Sequence, residues 1–231
     1  MPTILIVGAS RGIGHAMAAR FLLKEWKVIG TVRGSARTQF HDLHDKHPDR
    51  VQIKQLDMNE PSQIDQLKTE LSDTQLDILF VNSGTTNANQ EDVIGTVSTD
   101  EFVRVMVTNA LSPMRVLEKL ESLVTPTGLL GIMTSGQGSI ANNTRGMREV
   151  YRGSKAALNM YMKSFAVRQG QNHSQRALVL MAPGWIKTDL GGDGAPFTLD
   201  DNIPPLVDVL LKKRERPGLE YLDYKGDTVP W

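Results

Sequence analysis

Ile4-Leu5-Ile6-Val7-Gly8-Ala9-Ser10-Arg11-Gly12-Ile13-Gly14 is an apolar run that breaks into glycines at 8, 12 and 14 and then passes into a stretch with helical spacing. A short apolar run closed by a glycine turn reads as a buried strand of a parallel sheet. A strand that ends in glycine and opens a helix aims backbone N–H groups and the positive end of the helix at one spot, which suits a pyrophosphate. The spacing is G-x-x-x-G-x-G rather than the commoner G-x-G-x-x-G. The physical needs are alike: a tight turn at Gly8, and positions without Cβ where backbone approaches ligand or strand. A glycine turn with no ligand has the same local appearance, so the rest of the chain must decide.

Outward from that stretch, β-branched runs alternate with amphipathic segments, which predicts parallel strands joined by helical crossovers. Strands are expected near 3–7, 27–32, 51–56, 76–81, 127–134, 176–181 and 219–223, with helices near 13–24, 35–46, 60–72, 99–122, 148–169 and 202–214. Pro48 and Pro113 are local disturbances. The expected fold is α/β: one doubly wound parallel sheet of about seven strands, helices on both faces, in a single domain over 1–231. Ligands sit at the carboxyl ends of strands in such sheets, so the polar connection Gly84–Ser98 and the Gly-rich connection Gly191–Asn202 are expected to wall a site.

The 231 residues carry 26 basic and 26 acidic side chains, so no global field favours nucleic acid or a membrane surface. With no cysteine, thiolate catalysis, disulfides and Cys-ligated metals are excluded. Ile4–Val7 is too short for a signal-peptide core and no other apolar run is long enough to cross a bilayer, so a soluble, cytoplasmic protein is expected. His41, His44 and His47 recur every three residues but alternate with Asp42, Asp45 and Lys46 on a surface helix, and no metal is expected there. Met106, Met114, Met160 and Met162 are read as core or helix-interface packing.

The chemistry is carried by Tyr151-Arg152-Gly153-Ser154-Lys155. Residues four apart share a helix face, so a phenol and an ammonium meet. Reduction of a carbonyl leaves an alkoxide to be protonated, and tyrosine, with a reference pKa of about 10, needs help to do so near neutral pH. A neighbouring ammonium is expected to favour the phenolate and lower that value. Ser135, directly after the apolar strand Leu129–Met133, could hold the substrate oxygen against the phenol, with Ser139 as its alternative. Asn109 could position a water near Lys155 through its side chain or a freed carbonyl, or be a plain polar residue. Asp57 after the third strand and Asn82-Ser83-Gly84 after the fourth lie where an adenosine would rest, although an Asp there is also an ordinary cap.

In this order along nearly the whole chain, these motifs, followed by Pro183-Gly184-Trp185-Ile186-Lys187-Thr188, resemble the classical short-chain dehydrogenase/reductase family. Gly138-Ser139-Ile140, Tyr151–Asn159, Pro183–Gly192 and the chain end Val229-Pro230-Trp231 are similar to its C-factor-like and sniffer-like carbonyl reductases. The resemblance implies a Rossmann-type sheet and a nicotinamide cofactor held by Gly8, Ser10, Arg11, Gly12, Ile13, Gly14, Arg33, Asp57, Met58, Asn82, Ser83, Gly84, Tyr151, Lys155, Pro183, Gly184, Ile186 and Thr188. It further implies Tyr151 as acid/base, Lys155 on the ribose and the tyrosine, Ser135 on the substrate oxygen and Asn109 in a proton relay. Val7 departs from the family's usual Thr and removes a hydroxyl that would tie the glycine turn to its neighbours.

At the end of the second strand Val32 stands where an NAD-specific site needs a carboxylate, and Arg33 and Arg11 can meet a 2′-phosphate, so NADP(H) is the expected cofactor. The expected activity is reduction of a small carbonyl, or its reverse on an alcohol. A C-factor-type signalling protein with little turnover is the alternative. Apolar residues on helices 99–122 and 148–169, namely Phe102, Val105, Met106, Leu117, Leu158, Tyr161 and Phe165, together with the family's use of these helices, suggest a homodimer or a tetramer.

Overall fold

A computed structural model describes residues 1–82 and 84–231, Ser83 lying outside them. Seven strands, β1 (Thr3–Val7), β2 (Lys27–Val32), β3 (Val51–Gln55), β4 (Leu76–Val81), β5 (Val124–Met133), β6 (Ala177–Ala182) and β7 (Gly218–Asp223), form one sheet in the order β3-β2-β1-β4-β5-β6-β7. Every pairing is parallel. β1, β4 and β6 are almost wholly buried, which is why they read as unbroken apolar runs rather than alternating ones.

The helices divide between two faces. One apolar cluster joins Ile4, Ile6, Val28 and Phe80 of the sheet to α1 (Gly12–Leu23), α2 (Gln39–Lys46) and α7 (Leu199–Lys213). The other joins Leu5, Leu79, Leu130 and Leu180 to α3 (Pro61–Glu70), α5 (Ser112–Leu120) and α6 (Glu149–Asn172), with α4 (Thr99–Met106) packed on α6. The chain leaves β1 toward β2 and β3, then returns to the other side of β1 as β4. The strand order therefore reverses between β1 and β4, and their carboxyl ends open the crevice in which such sheets bind ligands.

Several boundaries differ from expectation, and four of them have a visible cause or consequence. The helix foreseen over 99–122 is α4 and α5 separated by a π turn at Val107–Leu111. Pro113 has no N–H to give the carbonyl four residues before it, which is that of Asn109, so regular pairing fails there. α2 starts at Gln39, not 35, because the Thr38 hydroxyl and the His41 ring form a capping box. α7 starts at Leu199, not 202, under a second box between Thr198 and Asp201, which shortens the glycine-rich connection before it. β5 starts at Val124, ahead of a register shift against β4.

His41 caps α2, His44 faces Asp45 and His47 lies beside Arg50, and among the described residues no three metal-ligating side chains cluster. Met114 and Met162 are buried in the core, whereas Met160 is exposed. Of the seven residues offered as surplus apolar surface, Val105, Leu117, Leu158 and Phe165 are core, and only Phe102 and Tyr161 face outward, joined by Leu111, Met160 and Val167. No helix of the described residues is long and apolar enough to cross a membrane.

Candidate active site

The glycine turn sits at the carboxyl end of β1, at the reversal of strand order. Gly8 and Gly12 have φ of 91° and 57°, left-handed backbone that glycine enters without strain. Gly14 is required for another reason: a Cβ there would collide with the Gly8 carbonyl and lie 2.6 Å from the Asn82 amide nitrogen. Asn82 Nδ2 donates to Gly8 O at 3.1 Å, and the Asn82 N–H donates to Val7 O at 2.8 Å, so β4 clamps the turn. The hydroxyl that Val7 lacks is supplied by the next strand. Thr31 Oγ1 accepts from the Gly8 N–H at 2.9 Å, a contact with no local trace in the sequence.

Arg11 stands at the N-cap of α1 without capping it through its side chain, and the first turn carries no acid. The leading N–H groups of the helix are thus presented to an anion. This donor set fits a dinucleotide pyrophosphate. Arg11 itself, expected near a 2′-phosphate, is paired with Asp189 on the loop after β6. That loop also brings the Thr188 methyl within 3.9 Å of the Cβ position of Gly12. Arg33 is exposed at the end of β2. Asp57 Oδ1 accepts from the Asn59 N–H at 3.0 Å, the local cap that the sequence left open. The Met58 side chain is buried in the core, so only its backbone can face a ligand. Ser10 and Ile13 fall within the same turn and the first turn of α1.

Pro183 and Gly184 follow β6. Gly184 has φ of 86°, and a Cβ on it would lie 2.5 Å from Asn202 Nδ2, which donates to Pro183 O at 2.7 Å. Asn202, fully buried in the first turn of α7, fixes this turn and was not foreseen. Ile186 is buried and bridges to Phe197, holding the loop down.

The second half of the site gathers at the carboxyl end of β5. The Ser135 side chain lies close enough to the Tyr151 hydroxyl to pull down its pKa, and Ser135 Oγ accepts from the Gln137 N–H at 3.1 Å. Ser139 is elsewhere engaged, its buried hydroxyl accepting from the Asn142 N–H at 3.1 Å. Lys155 is buried, its ammonium 5.8 Å from the Tyr151 ring centroid and donating to Met133 O at 3.1 Å. Gly84 leaves the room this needs: a Cβ there would lie 3.4 Å from the ammonium and 3.7 Å from Asn109 Oδ1.

Two expectations are corrected. Asn109 is fully buried with its amide committed, donating to Thr85 O at 2.8 Å and Ser154 Oγ at 2.9 Å and accepting from the Thr85 N–H at 2.8 Å. Its side chain builds the π turn, which leaves the backbone carbonyl, stripped of its donor by Pro113, as the group able to hold a water. The phenol is expected to be made more acidic by the ammonium and the positive nicotinamide ring together; in the chain by itself burial raises the Tyr151 pKa, against the opposing pull of the Ser135 side chain and the Arg148 charge. Burial also lowers Lys155 to about 8. Both groups are tuned by desolvation, and each resists its charged form.

A surface cavity of about 540 Å³ lies away from these residues, at the amino ends of β4 and β5 among Ser72, Glu121, Pro126, His173 and Arg176. It contains none of the groups above.

A parallel sheet with a glycine turn at its reversal point, and a serine, tyrosine and lysine at the end of the adjoining strand, defines an oxidoreductase of the dinucleotide-binding class. Residues 8–201 match the family model described as enoyl-(acyl carrier protein) reductase, and the chain belongs to the short-chain dehydrogenase/reductase family. It is 32% identical over 158 residues to C-signal of Myxococcus xanthus, covering 68% of this chain and 93% of that one. A Burkholderia multivorans protein assigned to the short-chain dehydrogenases/reductases and solved with bound NADP is 59% identical, with a TM-score of 0.98 over 100% of this chain and 99% of its own. A carbonyl reductase from Pseudomonas aeruginosa PAO1 in complex with NADP is 29% identical with a TM-score of 0.89, both chains covered in full.

Proposed function

We propose that the chain is an NADP-dependent carbonyl reductase in which Tyr151 gives its proton to the substrate oxygen as hydride arrives. The observation that carries this reading is the Tyr151 phenol with the buried Lys155 ammonium 5.8 Å from its ring centroid and the Ser135 side chain close to its hydroxyl. NADPH, when bound, supplies the hydride. The leading N–H groups of α1, with Gly8, Gly12 and Gly14, would hold its pyrophosphate. Arg33 would meet the 2′-phosphate, the oxygen of Asp57 left free by its turn would serve the adenine side, and Ile186 and Thr188 would border the nicotinamide.

The proton path follows from the chain's own groups. Ser135 fixes the carbonyl oxygen at the phenol, and Tyr151 stays protonated until the alkoxide needs it, as its raised pKa favours. Lys155 then stabilises the phenolate left behind and passes a proton on, through water held at the Asn109 carbonyl. The protein is further proposed to work in the cytoplasm as a homodimer, through the outward Phe102, Leu111, Met160 and Tyr161.

Tyr151→Phe tests the reading. We expect loss of carbonyl reduction by about 10²–10⁴-fold with NADPH binding kept, since the ring remains and only the proton is removed. More than about a tenth of wild-type turnover in that variant would assign the proton to another group. Likeness to C-signal favours a second reading, a signalling role for the folded, cofactor-bound chain. An assay of NADPH oxidation across small carbonyls separates the two.

A further inference from the structure

Gly146, Met147 and Arg148 have φ of 68°, 36° and 57°, three successive residues in the left-handed region, two of them with side chains. Glu25 is the only other non-glycine described residue with positive φ. Such backbone persists only where its surroundings hold it, and it gathers at sites of function. Here the hold is Arg152, whose Nε donates to Met147 O at 2.8 Å and whose N–H donates to Arg148 O at 2.9 Å.

This turn brings Arg148, the residue that precedes α6 and stands three before Tyr151, against Trp185. The guanidinium carbon lies 5.9 Å from the indole centroid, and the indole is itself fixed by donating to Gly191 O at 2.7 Å. No carboxylate among the described residues pairs with Arg148. Its neighbour Glu149 is turned away, accepting from the Ile94 N–H at 2.8 Å. A half-buried cation, stacked on one face and without a counter-ion, thus stands beside the reacting phenol, and its charge acts on that phenol. Met147, next to it in the chain, and Trp185, against its guanidinium, expose apolar surface beside it. A guanidinium held on an indole presents its free edge as a planar fork, which matches a carboxylate.

We propose that Arg148 is a specificity-determining residue that binds a carboxylate of the substrate. The preferred substrates are then oxo acids with a short apolar body between carboxylate and carbonyl, because Arg148 precedes Tyr151 by only three residues. This rests on the carbonyl reductase reading above and adds the substrate class.

The test is steady-state NADPH oxidation by the full chain with a series of oxo acids and their methyl esters, for the wild type, Arg148→Met and Arg148→Asn. Asn accepts left-handed backbone, so the second variant keeps the turn where Met disturbs it. We expect the wild type to favour acid over ester by roughly ten- to a hundredfold in kcat/KM, the range a charge-assisted hydrogen bond gives. Both variants should bring that ratio close to one through KM for the acid, leaving KM for NADPH within about twofold, while the loss of the Arg148 charge at the phenol shifts kcat for acid and ester alike. Esters reduced as well as acids by the wild type would overturn the proposal and leave the reductase reading standing. An equal fall for acid and ester in both variants would overturn it as well, since Arg148 would then serve the fold. If the wild type reduces neither, the reductase reading fails and the proposal with it.

Discussion

The Tyr221 hydroxyl on β7 donates to the backbone carbonyl of Ser135 at 2.5 Å, so the candidate catalytic serine is held from beneath by a residue 86 positions away. Tyr221 is buried, and its ring meets Trp231 edge-on at 5.6 Å. The carbonyl of Trp231 accepts from the Ala141 N–H at 3.0 Å, which closes the far side of the same loop. Burial pushes the Tyr221 pKa up to about 12, keeping it a donor across the working range.

Tyr221→Phe keeps the packing and leaves the Ser135 carbonyl without this partner. The carbonyl keeps the Gly138 N–H at 2.8 Å, so the loss is one hydrogen bond of two, about 0.5–1.5 kcal/mol. In a chain of this length that corresponds to a fall in Tm of roughly 1–6 °C. Because the displacement falls on Ser135 and not on the glycine turn, kcat should drop several-fold with KM for NADPH unchanged. Scanning calorimetry and steady-state kinetics check both halves, and an unaltered kcat would make Tyr221 a packing residue only.

Lys155 gives a prediction with a definite sign. Its pKa is lowered by burial to about 8, below its value in the unfolded chain. Below about pH 8 both states are protonated, and the fold carries the full cost of burying the charge. Between about 8 and 10.5 the unfolded chain binds the extra proton, so stability gains with rising pH. Lys155→Met should therefore leave the cofactor-free protein at least as stable as wild type at neutral pH, less the loss of a partner for Met133 O. The difference between the two proteins should shift in favour of wild type by up to roughly 3 kcal/mol as pH rises through that window. Urea unfolding at about pH 7 and pH 10 measures it; parallel curves for the two proteins would refute the buried-charge account. The same variant should raise KM for NADPH and nearly abolish turnover.

The sheet was legible because buried parallel strands are unbroken apolar runs and the glycine turn marks where the first one ends. Tyr151, Lys155 and Ser135 were legible through helix periodicity and a strand end. The break at Val107–Leu111 was not, since it needs both Pro113 and the tertiary pull of Thr85 on Asn109. The starts of α2 and α7 were written locally, in Thr38 with His41 and Thr198 with Asp201, and a search for capping boxes would have found them. Thr31, Asn202 and Tyr221 had no such signal. Thr31 and Tyr221 are residue types that strands favour anyway, and all three contacts form only once distant segments pack.

Cofactor choice turns on two arginines in different circumstances. Arg33 is exposed at the end of β2 and pairs with no described carboxylate. Arg11 is already paired with Asp189, but both side chains are mostly exposed, at 69% and 73%. Such a pair contributes about 0–1 kcal/mol and yields readily to a phosphate dianion. We therefore expect Arg33→Ala to reduce the preference for NADPH over NADH by roughly ten- to a hundredfold, mainly through KM for NADPH. Asp189→Asn releases Arg11 and should lower KM for NADPH by up to about fivefold with NADH unaffected. Raising salt should weaken the wild-type preference, because both contacts lie in solvent. Kinetics with both cofactors at two ionic strengths measure all three effects. Equal efficiency of the wild type with NADH and NADPH would remove the 2′-phosphate from the site. A response to Arg33→Ala but to neither Arg11→Ala nor Asp189→Asn would leave Arg33 to make the selection alone.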